Sequence, residues 1–199
     1  MHGSEINFKV NPATFLVWTV LIITDQTQFL FCSFVSALLH ESAHIASYIS
    51  FHASVLSIEV LPFGISASIG KSSELSCTAE IISSLSGPLM NLGLAFFFML
   101  LPESFIYGSE YFIYCNFAFF AVNILPVIPL DGGRILYFSL LRKYKFEAVS
   151  ITVKVISIFV SLIILLSGIY ILFVTGLNMS VLLIGVYLLI YIFTSYGSF

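Results

Sequence analysis

Apolar residues run along the whole chain in long stretches, broken by short polar segments. A helix needs about 20 apolar residues to cross the hydrocarbon core of a bilayer. Six stretches meet or approach that length: residues 12 to 24, 28 to 51, 77 to 101, 110 to 127, 149 to 174 and 178 to 196. The first is short, because Lys9 and Asn11 would have to snorkel if it were extended at its start. One segment has a different period. Leu56, Ile58 and Val60 alternate with Ser57 and Glu59, Leu61-Pro62-Phe63-Gly64 supplies a turn, and Ile65, Ala67 and Ile69 alternate with serines. That pattern predicts a strand-turn-strand. Open sheet edges are not tolerated against lipid, so the hairpin belongs at the interface or along a cavity. It is either a plain connector or an edge that receives an extended peptide as an added strand. The expected fold is an all-α polytopic membrane protein with about six transmembrane helices and a small interfacial β-hairpin near residues 55-70.

Composition sharpens this reading. Of 199 residues, 59% are hydrophobic and 9% charged, against about a quarter charged in soluble domains. A water-facing surface cannot be built from so few charges. With apolar residues spread throughout, residues 1-199 are expected to form a single membrane domain. Cys32, Cys77 and Cys115 lie apart in apolar segments, without the spacing of a disulfide framework or a thiolate metal site. Residues 13 to 24 lack a small-x-small cleavage pattern before Asp25, so they read as a retained span and not a signal peptide.

Charge then sets the orientation. With six spans, Lys9, Lys71, Arg134, Arg142, Lys143, Lys145 and Lys154, every cation in the chain, fall on the side of the N-terminus. Asp25, Glu103 and Glu110 fall in the opposite loops. Positive charge marks the cytoplasmic side, so both termini are expected there, in a multi-pass protein of a bacterial cytoplasmic membrane. The bilayer is its partner; nucleic acid is not.

Candidate chemistry lies within the second span, at His40-Glu41-Ser42-Ala43-His44. Positions i and i+4 share a helix face, so His40 and His44 can offer imidazole nitrogens to one zinc ion. Glu41 is close enough to reach a metal-bound water rather than the metal. The competing reading is a pair of hydrogen-bonded core histidines. A glutamate beside them in a membrane would cost several kcal/mol, by order of magnitude, unless paired or coordinated, and a metal site accounts for all three residues at once.

Two histidines leave catalytic zinc one protein ligand short. His2 sits in the N-terminal tail and His52 lies two turns beyond His44, so both are poor candidates. Asp131 follows the fourth span in Asn123-Ile124-Leu125-Pro126-Val127-Ile128-Pro129-Leu130-Asp131-Gly132-Gly133. The prolines break the helix and the glycines free the backbone, so the carboxylate can turn inward. Spans two and four run in the same direction, which brings both motifs to the cytoplasmic half. Taken alone, Asp131 would more often be a helix N-cap or a partner of Arg134; the unfilled zinc position favours a ligand. Asn123 is an amide within the membrane, either an interhelical hydrogen-bonding group or part of the site. Ser83, Ser84, Ser86, Gly87, Pro88, Asn91 and Gly93 read mostly as close-packing and kink residues, with Asn91 a weaker site candidate than Asn123.

His40-Glu41-x-x-His44 followed by Asn123-x-x-Pro126-x-x-x-x-Asp131-Gly132 resembles the site-2 protease family of intramembrane zinc metalloproteases, over residues 28 to 140. Gly87-Pro88-x-x-Asn91 is similar to a less specific glycine-proline element of that family. The resemblance implies that His40, His44 and Asp131 bind one zinc ion and that Glu41 is the general base. It implies that Asn123 helps to hold the substrate or its oxyanion, and that residues 55 to 70 clamp an unwound substrate. The implied activity is a zinc metalloendopeptidase that cuts a membrane-tethered substrate in or beside its transmembrane segment. The six-span layout is similar to the sporulation branch, whose members release a sigma factor, and it leaves room for regulatory membrane partners. The alternative is a non-catalytic zinc-binding scaffold or a metal transporter. A transporter should carry more polar residues through spans five and six than Lys154 and scattered serines, and a scaffold gives no reason for Glu41.

Overall fold

A computed structural model describes residues 7–10, 29–61, 64–70, 75–102, 109–176 and 179–194, with side chains described from residue 29 onward except in the strands. The chain divides into two compact units, Met1–Val122 and Asn123–Phe199.

In the first unit, strand β1 (Asn7–Val10) is followed by helix α1 (Phe29–Ser50), strands β2 (Ser54–Leu61) and β3 (Gly64–Gly70), and helices α2 (Cys77–Met99) and α3 (Ser109–Asn123), the last residue of α3 falling across the boundary. The strands form one sheet in the order β1-β2-β3. β2 and β3 pair antiparallel from Ser54↔Gly70 to Leu61↔Gly64, with an irregularity between Val55 and Ser57. β1 adds a parallel partner, Asn7↔Ser57 to Val10↔Val60, too short to carry a readable alternating period. The turn residues 62–63 lie outside the described residues. After α1, His52 adopts a positive φ of 60° and turns the chain toward β2.

The buried positions of α1 are Cys32, Ser36, His40, His44 and Tyr48, one stripe at a spacing of four residues. This stripe packs on a face of α2 made of Ala79, Glu80, Ser83, Ser84, Gly87, Pro88, Asn91 and Ala95. Small residues let the two backbones approach, which is how helices associate where lipid removes the hydrophobic drive. Polar groups face inward while large apolar side chains face out: Phe97 is 56% exposed and Asn91 is fully buried. Such a surface suits lipid and not water.

The second unit holds α4 (Asp131–Leu141), α5 (Phe146–Thr175) and α6 (Ser180–Thr194). α5 and α6 pack closely at two glycines: a Cβ on Gly168 would strike the backbone of Leu182, and one on Gly185 would strike that of Leu165. Val127, Leu188 and Ile192 form the buried apolar core of this unit. Its lipid-facing side is again apolar, with Phe173 85% exposed.

Among the described residues three helices are long and apolar enough to cross a membrane: Phe29–Ser50, Cys77–Met99 and Phe146–Thr175. The protein is a membrane protein with at least these candidate spans. The expected spans at 110 to 127 and 178 to 196 are occupied by helices of 15 residues each, shorter than the usual crossing length. The fourth is cut at Asn123 because Pro126 and Pro129 cannot continue a helical hydrogen-bond ladder. The expected first span, 12 to 24, lies outside the described residues.

Candidate metal centre

His40 and His44 lie one turn apart on the buried stripe of α1, and their Nε2 atoms are 3.1 Å apart. The surroundings fix where each ring carries its proton. His44 Nδ1 donates to the carbonyl of Ser83 at 2.6 Å, and His40 Nδ1 donates to Asn91 Oδ1, since both partners are oxygens that can only accept. In the neutral rings both Nε2 atoms are then unprotonated, and hydrogen-bonded Nδ1–H groups are the usual support of histidines that ligate through Nε2. Gly87 supplies the room: a Cβ there would collide with the Nε2 atoms of both histidines. The donor chemistry and the open space therefore fit a zinc ion.

The support continues outward through the first unit. Asn91 Nδ2 donates to Asn116 Oδ1 at 2.8 Å and to the Ser36 carbonyl at 3.2 Å. Asn116 Nδ2 donates to Ser36 Oγ and to the Phe112 carbonyl. At the other end of the stripe, Tyr48 donates to Glu80 Oε2 at 3.1 Å, and Ser47 pairs with Ser83 through their hydroxyls. Phe119 closes one side of His40, with ring centroids 6.2 Å apart. Glu41, half-buried, is the next residue of α1 after His40.

Asp131 is the first residue of α4 and half-buried. The cap position is Leu130, so Asp131 is not the N-cap that one reading allowed. Tight turns present it: Val127 N–H donates to the Leu125 carbonyl and Leu130 N–H to the Val127 carbonyl, both at 2.7 Å. Ser157 Oγ of α5 anchors this segment by accepting from the Ile128 N–H. Gly132 and Gly133 are required by packing, since a Cβ on either would strike the backbone of residues 124 to 128. Asn123 is the last residue of α3 and half-buried.

Asn91, Ser83, Asn116 and Ser36 were undervalued or missed in the sequence. Asn91 and Ser83 looked like packing residues because they sit among glycine and serines. Asn116 carried the same signal as Asn123, an amide in an apolar span, and the expectation that such a group must be partnered applies equally to it.

Comparison with known proteins follows the same lines. A model of Peptidase family M50 matches residues 102–168. Stage IV sporulation protein FB of Bacillus subtilis (strain 168) is 27% identical over 195 residues, which is 96% of this chain and 66% of that protein. The chain therefore spans just under two thirds of the length of this relative. The fold is similar to that of Site-2 Protease from Methanocaldococcus jannaschii, with a TM-score of 0.65, 24% identity, and coverage of 91% of this chain and 86% of that one. The chain is thus similar to Peptidase family M50 over residues 102–168, to a sporulation protein along almost its whole length, and to a site-2 protease in fold.

Proposed function

We propose that this protein is an intramembrane zinc metalloprotease that hydrolyses a peptide bond in or near the transmembrane segment of a membrane-tethered substrate. The observation that carries the reading is the pair of Nε2 atoms 3.1 Å apart, on rings whose Nδ1 atoms are held by Ser83 and Asn91, beside the space left by Gly87. We assign His40, His44 and Asp131 as the ligands of one zinc ion, since two nitrogens with one carboxylate is an established catalytic zinc set. When bound, zinc supplies a water made acidic enough to lose a proton near neutral pH and a Lewis acid for the substrate carbonyl. Glu41 takes the proton from the attacking water and returns it to the leaving amine, so no covalent intermediate forms on the protein. Asn123 donates to the oxygen on which negative charge develops.

A helical substrate hides its carbonyls in its own hydrogen bonds and must unwind before attack. β3 is an edge strand of the sheet and packs beside α1, the helix of the two histidines. Pairing with such an edge replaces the bonds that the substrate gives up. Helix-weakening residues near the scissile bond should therefore favour cleavage. The six-span topology, with both termini cytoplasmic, rests on the distribution of cations, and a tethered sigma or transcription factor as substrate has the sporulation relative as its support.

The test is cleavage of a membrane-tethered candidate substrate by the purified chain in detergent or liposomes, before and after removal of metal by a chelator. Cleavage that is lost with the metal and restored by added zinc is the expected result. Cleavage indifferent to chelation, or a chain that binds no zinc, overturns the proposal.

A further inference from the structure

The chain of amides behind His40 has a direction, and that direction decides which nitrogen of His40 carries the proton. It is anchored at a point that cannot be reversed. The Phe112 carbonyl can only accept, so the Asn116 atom facing it, at 2.8 Å, must be the NH2 group. Asn116 Oδ1 then points the other way and requires a donor, which Asn91 Nδ2 provides at 2.8 Å. With its NH2 group so engaged, Asn91 must turn Oδ1 toward His40 Nδ1. That oxygen holds the proton on Nδ1 and leaves Nε2, beside His44 Nε2, unprotonated. If Asn91 were turned about, its NH2 group would meet Nδ1, the proton would move to Nε2, and the lone pair facing His44 would be lost.

From this geometry we infer that Asn116 is a positioning residue: through Asn91 it sets the tautomer in which His40 can ligate a metal. Asn116, Asn91 and Ser36 are fully buried, and the links between them join three helices, α3 to α2 to α1. A buried amide needs partners in any role, but packing alone does not require this polarity. The Ser36 carbonyl also accepts from Asn91 Nδ2, at the longer distance of 3.2 Å, so part of the orientation survives without Asn116. The inference rests on the reading of His40 as a zinc ligand.

The experiment is a double-mutant cycle read by zinc affinity, measured by competition with a chromophoric chelator on the purified full chain. Asn116→Leu, which keeps the branched shape but removes both polar groups, should weaken zinc binding by about tenfold, in the range usual for loss of an outer-shell partner. Asn91→Asp offers His40 Nδ1 an acceptor whichever way it is turned. In that background Asn116→Leu should change zinc affinity by less than about twofold. An equal loss in both backgrounds, or no loss in the native one, overturns the inference. If the leucine form does not fold, Asn116→Ala carries the same cycle: a loss of about tenfold that shrinks below about twofold beside Asn91→Asp supports the inference, and an equal loss in both backgrounds overturns it. Failure of the native chain to bind zinc is a separate outcome, which overturns the proposed function itself.

Discussion

Gly87 shows most directly how single residues shape the centre. A methyl group at this position would fall on the Nε2 atoms of His40 and His44, the atoms expected to ligate. Gly87→Ala should therefore weaken zinc binding by at least about tenfold, as displacement of ligands or their supports does. A chelator competition titration that returns the native affinity would contradict this. The histidines, Glu41 and Asp131 stand out in the sequence as candidates because each is costly in an apolar stretch unless it is paired or coordinated. The partners of the histidines could not. Ser83 acts through its backbone carbonyl, which every residue has, and Asn91 is distinguished only by standing opposite His40 once α1 and α2 are packed.

At the scale of elements, the seam between α1 and α2 reverses the usual logic of a core, with polar and small groups inside. Tyr48→Phe removes the hydroxyl that donates to the buried carboxylate of Glu80. It should cost about 1–3 kcal/mol, the usual penalty for taking a partner from a buried charged or polar group, seen as a lower melting temperature in detergent. A melting temperature equal to the native one would mean that this bond adds no stability. In the second unit, Gly168→Leu would force α5 away from the backbone of Leu182. Overpacking of this kind costs about 1–3 kcal/mol, and the same measurement checks it. The long helices were legible as apolar runs, and the segment at 55 to 70 as an alternating one. Parallel pairing of β1 with β2 was not, since four residues, Asn7–Val10, carry no period long enough to read. Nor was the length of α3, which ends where the prolines of the next segment approach.

Across the described residues, large apolar side chains face outward and polar ones such as His40, Asn91 and Asn116 are buried. A ligand that binds the native state alone stabilises it by mass action. Free zinc at about one hundred times its dissociation constant should stabilise the native protein by about 2.7 kcal/mol. His40→Ala should abolish that increment, as measured by thermal melting with and without zinc. An increment unchanged by the substitution would place the zinc elsewhere.

The central claim, that this chain hydrolyses peptide bonds by metal-assisted chemistry with Glu41 as base, is met most directly by one comparison. Native protein and Glu41→Gln are purified alike, their zinc content is determined, and both are incubated with the same membrane-tethered substrate. The account predicts zinc in both and a cleavage rate at least about a hundredfold lower in the glutamine form, as loss of a general base requires. Equal cleavage by the two zinc-loaded proteins would contradict it.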